Sequence, residues 1–243
     1  MDQEKTTKYN FVYDYEKDRR NKFIALTLFF SSIIIFTLSV LGVTDSLSNQ
    51  TTEFLQNHLG LTNKWSTSFG PDWFVGLNKD VSALGGFPLL PIFFTITVIY
   101  YYLREDSRRL WRLVFIVLGG VFIMFVVKLI YANDPDNLVF EMIIDSVSSF
   151  PSGHSMMGTI FYGTLAVTIS RRQHSRKTRR LTLISGIIII ILIGGSRILP
   201  NTHTLNEVIA GWSLGLVWLC FCWFLERYIK KARSNQRRPI VTT

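Results

Sequence analysis

"LTLISGIIIIILIGGSRILPNTHTLNEVIAGWSLGLVWLCFCWFL", residues 181–225, holds two long apolar runs parted by a short polar link. The runs, Leu181–Ile198 and Leu205–Leu225, each approach the ~20 residues that an α-helix needs to cross a bilayer. A helix in a soluble core keeps one polar face, and these runs keep none. The same pattern recurs upstream in Phe23–Val43, Leu84–Leu103 and Leu113–Val127, the last completed by Lys128–Tyr131. Ser152–Ser170 makes a sixth stretch. Together they predict an all-α fold, a bundle of six transmembrane helices. The first run differs from a secretory signal: polar residues 1–22 precede it, it is longer than a signal core, and it lacks a small-x-small cleavage site. It is expected to be a retained helix. The chain then divides into an N-terminal tail (1–22), the membrane domain (23–225) and a basic C-terminal tail (226–243).

Hydrophobic residues make up 48% of the chain, yet its formal charge is +9 and its mean hydropathy +0.27. A soluble domain would join a basic balance to a polar surface; here long uncharged runs explain the pairing. The basic residues are segregated. Six lie in the N-terminal tail, four in the second connection (Arg104, Arg108, Arg109, Arg112), six in "RRQHSRKTRR" (171–180) and six after Glu226, which is 22 of the 26 Lys and Arg residues. The alternate segments, 44–83, 132–151 and 200–204, hold only Lys64 and Lys79. Positive charge marks the cytoplasmic side, so both termini are expected inside, in the cell membrane. "RRQHSRKTRR" is then a topology signal that also touches anionic lipid, and no nucleic acid is expected as a partner. Cys220 and Cys222 are two positions apart on one helix, point to different sides, and are expected to be packing residues rather than a disulfide or metal pair.

Two basic residues remain, Lys128 and Arg197, both at helix ends. Ionisable groups within membrane helices are costly and invite a functional reading. The threading brings Lys128, His154, Arg197, His203 and Glu207, from four segments, to one membrane face, the outer one. Lys and Arg suit an anion, and Arg can grip two of its oxygens. "PSGH" (151–154) opens a helix where N–H groups and the helix dipole attract an anion, and Ser152 and Gly153 permit close approach. Two histidines can divide the work of nucleophile and general acid. Glu207 follows His203 by four residues, on the same helix face, and can orient its ring. The expected ligand is a phosphate held at the membrane surface.

"PSGH" (151–154) and "SRILPNTHTLNE" (196–207) resemble the second and third motifs of the type 2 phosphatidic acid phosphatase superfamily, the third being SRxxxxxHxxxD. The likeness extends from "DVSALGG" (80–86) through "FYGTLAV" to "VIAGWSLGLVW" (208–218). The resemblance implies that His203 is the nucleophile, forming a phosphohistidine, and that His154 protonates the leaving lipid oxygen and then helps to activate water. It implies that Glu207 stands where an Asp steadies the nucleophile, and that Lys128, Ser152, Gly153 and Arg197 hold phosphoryl oxygens. No metal or other cofactor is implied. The substrate class would be a lipid mono- or diphosphate: a polyprenyl diphosphate, phosphatidic acid or phosphatidylglycerol phosphate. Transfer to another lipid instead of water, and headgroup binding or transport without turnover, stay open.

Two departures stand out. The first motif of the superfamily is KxxxxxxRP, but the chain reads "KLIYANDPD" (128–136), with Pro135 and Asp136 where Arg and Pro are expected. Glu207 replaces Asp. Elsewhere Trp65, Trp73 and Phe74 in the long outer segment suit an interfacial anchor or a lid, and Tyr100–Tyr102 with Trp111 suit an inner aromatic belt. Asp134, Asp136, Glu141 and Asp145 are expected to be solvated, and His58 and His174 carry no assigned role.

Overall fold

The computed structural model describes residues 2–59, 71–86, 88–131, 150–200 and 202–236. Its elements are helices in this order: α1 (Asp2–Val40), α2 (Asp45–Leu59), α3 (Asp72–Gly85), α4 (Leu89–Leu103), α5 (Ser107–Tyr131), α6 (Gly153–Ser170), α7 (Arg176–Ile198) and α8 (Leu205–Gln236). No strand occurs among the described residues, so the all-α expectation holds.

Among the described residues, four segments are long and apolar enough to cross a membrane: Asp18–Val40, Ser107–Tyr131, Arg176–Ile198 and Leu205–Ala232. α3 and α4 together make a fifth if the pair, bent by 44°, counts as one span. The expected second span, Leu84–Leu103, is therefore not one continuous helix. Its first residues end α3, and α4 starts at Leu89. The cause is local: Pro88, at the N-cap of α4, has no N–H with which to continue the hydrogen-bond ladder of α3. α6, of 18 residues, falls short on composition because Gly, Ser, Thr and His punctuate it. Its surroundings explain that composition. It is packed by α3, α4, α5, α7 and α8, and Met156, Ile160 and Phe161 are wholly enclosed. α1 is helical from Asp2, well before the first apolar run, and α8 continues past Leu225 to Gln236.

Close backbone approach holds the centre together. A methyl group on Gly211 of α8 would stand 2.5 Å from the Ser152 carbonyl, and one on Gly215 would stand 2.9 Å from Thr159 Cβ. These two glycines, four apart, let α8 press on α6 in the small-xxx-small manner of membrane helices. Trp218 Nε1 donates to the Ile116 carbonyl at 2.8 Å, tying α8 to α5. On the outer faces, Phe23 and Ile130 are each 71% exposed, as apolar side chains meeting lipid would be. Cys220 and Cys222 are buried free thiols, in keeping with a packing role.

The bundle has two chemically distinct ends. α1 runs antiparallel to α8, with Asp18 paired to Arg227 at one end and Thr44 bonded to Asn206 at the other. The first end also gathers Arg112 with Glu226 (3.0 Å) and Arg172 with Asp106 (3.7 Å). The second end receives the start of α6, the end of α7 and the start of α8.

Candidate functional site

Ser152 caps α6. Its Oγ accepts from Ser155 N–H at 3.5 Å and from Ser155 Oγ at 3.0 Å, while the Gly153 and His154 N–H groups stand outside the ladder of the helix itself. Ser152 is fully buried, and its own N–H donates to the Glu207 carbonyl at 3.0 Å. A methyl on Gly153 would meet Met124 Sδ at 3.2 Å and Lys128 Cε at 3.7 Å, so the Lys128 side chain from the last turn of α5 runs beside the head of α6. Lys128 is buried.

His203 sits one residue ahead of the N-cap of α8. Its N–H donates to the Arg197 carbonyl at 3.0 Å, where Thr202 Oγ1 also donates at 2.8 Å. Its Nδ1 meets Glu207 Oε2 at 2.8 Å, so the extra methylene of Glu does not break the contact expected for an Asp. The same carboxylate oxygen accepts from Thr204 N–H at 3.1 Å, and Thr204 Oγ1 accepts from Glu207 N–H at 3.3 Å. Thr204 and Glu207 thus form a capping box. At the end of α7, Arg197 Nη1 donates to Ser82 Oγ at 3.0 Å, and Asn78 Nδ2 donates to the Ser196 carbonyl at 3.0 Å. The circuit closes through α3: Gly86, just past Ser82, lies against the ring of His154.

All seven residues singled out in the sequence, Lys128, Ser152, Gly153, His154, Arg197, His203 and Glu207, therefore lie at one end of the bundle in a continuous chain of neighbours. Pro135 and Asp136 of the altered first motif lie outside the described residues, as do Trp65, Asp134, Glu141 and Asp145. Asn78, Ser82, Thr204 and Asn206 were not foreseen. Thr204 had a readable signal, the T-x-x-E spacing. Asn206 had none: its Nδ2 donates to Asp45 Oδ1 at 2.8 Å and to the Ser39 carbonyl at 3.2 Å, partners on the opposite side of the sequence. Trp73 is 69% exposed, whereas Phe74 packs with Val75, Leu55 and Leu199 to seat α3 on the bundle. His58 stacks on Phe54, a contact within α2.

Residues 109–231 match the PAP2 superfamily, which takes in α5 to α8 and leaves out α3 and α4. A PA-phosphatase related-family protein of Dictyostelium discoideum is 36% identical over 100 residues, 39% of this chain and 30% of its own length. Phosphatidylglycerophosphatase B of Bacillus subtilis is 30% identical over 96 residues, 39% of this chain and 47% of its own length. The match spans less than half the length of these relatives. The crystal structure of a transmembrane PAP2 type phosphatidylglycerolphosphate phosphatase from Bacillus subtilis shares the fold, with a TM-score of 0.56 and 19% identity over 84% of this chain and 96% of that one.

Proposed function

Since the chain belongs to the PAP2 superfamily, we propose that it is an integral membrane lipid phosphatase working through a phosphohistidine. The observation that carries this reading is the 2.8 Å contact between His203 and Glu207, hydrogen-bonded on either side to Arg197 and to the N-cap of α6. A carboxylate only accepts, so Nδ1 of a neutral His203 bears the proton and Nε2 keeps the lone pair. Nε2 attacks phosphorus and forms a P–N bond. The bond from phosphorus to the lipid oxygen breaks, its electron pair leaves on that oxygen, and protonated His154 supplies the proton. Neutral His154 then takes a proton from water as the water oxygen attacks phosphorus. The P–N bond breaks, phosphate departs, and the lone pair returns to Nε2. Glu207 balances the positive charge of the phosphorylated ring.

Lys128, Arg197 and the first N–H groups of α6 would neutralise the phosphoryl oxygens, and this set supports turnover without a metal. The substrate class is a lipid mono- or diphosphate: a polyprenyl diphosphate, phosphatidic acid or phosphatidylglycerol phosphate. With α3–α4 as one crossing and α6 as the enclosed one, the chain crosses the cell membrane six times. Both termini are then cytoplasmic and the site faces the extracytoplasmic side. The gathering of Arg112, Arg172 and Arg227 at the end away from His203 supports this orientation.

The test is phosphate release by the purified protein in detergent with EDTA, across those lipid phosphates. Wild type should release phosphate from at least one, and His203→Ala should fall to background. If wild type releases none and His203→Ala leaves cellular function intact, headgroup binding or transport replaces catalysis. That second reading draws on Pro135 and Asp136 standing in the first motif.

A further inference from the structure

Gly86 stands at the corner where α3 meets α4, as the last residue of "DVSALGG" (80–86) and ahead of the matched residues 109–231. Its φ of −91° and ψ of 171° suit any residue, so backbone freedom does not explain a glycine here. Space does. A methyl group on its Cα would stand 2.8 Å from His154 Nε2 and 3.4 Å from His154 Cδ2, whereas its next neighbour, the Ala83 carbonyl at 3.5 Å, leaves ordinary room. The corner is held from several sides. Gly86 N–H donates to the Ala83 carbonyl at 3.1 Å, and Leu90 N–H donates to the Gly86 carbonyl at 3.2 Å. Tyr162 Oη, on α6, donates to the Leu84 carbonyl at 2.9 Å. Gly85 is wedged too, since a methyl there would come within 2.5 Å of Ile193 Cγ2 and 3.1 Å of the His154 carbonyl. Given a side chain at position 86, the imidazole has to yield.

We propose that Gly86 is a positioning residue for the general acid: by lacking a side chain it leaves the His154 imidazole room to hold the orientation from which it gives its proton to the leaving oxygen. The inference rests on the phosphatase reading above. The step it governs is cleavage of the bond from phosphorus to the lipid oxygen, in which His154 gives its proton to that oxygen. Proton donation matters most for an alkoxide, which leaves poorly, and little for a nitrophenolate, which leaves without a proton.

The experiment compares kcat/KM, which reports this first step, for two monophosphates with the same alkyl tail, one an alkyl ester and one a nitrophenyl ester. Gly86→Ala should cost about a hundredfold or more on the alkyl ester and less than about tenfold on the nitrophenyl ester. In a His154→Ala background, where no ring remains to be displaced, adding Gly86→Ala should change neither rate by more than about threefold, because the two substitutions act on one group. That double variant also guards against misfolding, since a general packing defect would persist in it. Equal losses on both esters, or an undiminished loss in the His154→Ala background, would overturn the proposal while leaving the phosphatase reading intact. A wild type inactive on both esters and on the lipid phosphates would remove the phosphatase reading, and this proposal with it.

Discussion

Glu207 serves two partners with one oxygen. Oε2 accepts from His203 Nδ1 at 2.8 Å and from Thr204 N–H at 3.1 Å. A glutamate at the third helical position reaches back over the N-terminus, and here that reach also ends beside the imidazole. This gives glutamate a physical reason to stand where the superfamily pattern has aspartate. Two substitutions separate the duties. Thr204→Ala removes one arm of the cap and should lower stability by about 1 kcal/mol, read as a lower Tm in detergent, with kcat nearly unchanged. Glu207→Ala should lower Tm similarly and also cut kcat about a hundredfold, the order of loss expected when a reacting group drifts by ~1 Å. Equal effects on kcat would mean that the cap alone matters. His203 and Glu207 were legible in the sequence because their spacing is local and helical. Ser82 and Asn78 were not, because their partners lie 115 and 118 residues away and a lone serine carries no sign of the arginine it will meet.

Helices were legible in proportion to how much lipid they face. α5, α7 and α8 declare themselves as long apolar runs. α3 does not, because it turns Asn78 and Ser82 inward and leaves Trp73 and Leu77 exposed. That inversion suits a helix whose inner face meets polar chemistry and whose outer face meets a membrane boundary. α6 is the opposite limit, enclosed by protein and free to carry small and polar residues. Its packing makes a paired prediction. A methyl at Gly211 meets the backbone of α6, which cannot swing aside as a side chain can. Gly211→Ala should therefore cost about 1–3 kcal/mol and reduce activity, since the head of α6 must move and strain the 3.0 Å bond from Ser152 N–H to the Glu207 carbonyl. Gly195→Ala on α7 meets nothing within 4 Å and should leave stability unchanged or raise it by less than about 1 kcal/mol, with Tm unchanged or slightly higher. Thermal shift of the two variants in one detergent decides it; a Tm loss as large at Gly195 as at Gly211 would contradict this account of the packing.

At the scale of the molecule, charge and chemistry part company along the bundle axis. Twenty-two of the 26 basic residues fall in alternate connecting segments and tails. The described members of that set that form ion pairs, Lys22, Arg109, Arg112, Arg172, Arg227 and Lys230, do so with Asp18, Asp106 and Glu226 at the end away from His203. This partition was legible before any coordinate, because translocating a cluster of Lys and Arg is costly and the count needs no side-chain geometry. The exact path of the chain was less legible, since the bend at Gly86 and Pro88 and the helical start of α1 depend on local backbone rather than on charge. The orientation yields a direct prediction. Arg176, exposed at the start of α7, should lie in the cytoplasm. Cys220 and Cys222 are buried, so an added thiol at Arg176→Cys should dominate labelling by a membrane-impermeant maleimide. Labelling should fail in intact cells and succeed once the membrane is permeabilised. Efficient labelling of intact cells would invert the molecule, place the paired arginines outside, and carry His154 and His203 to the cytoplasmic face.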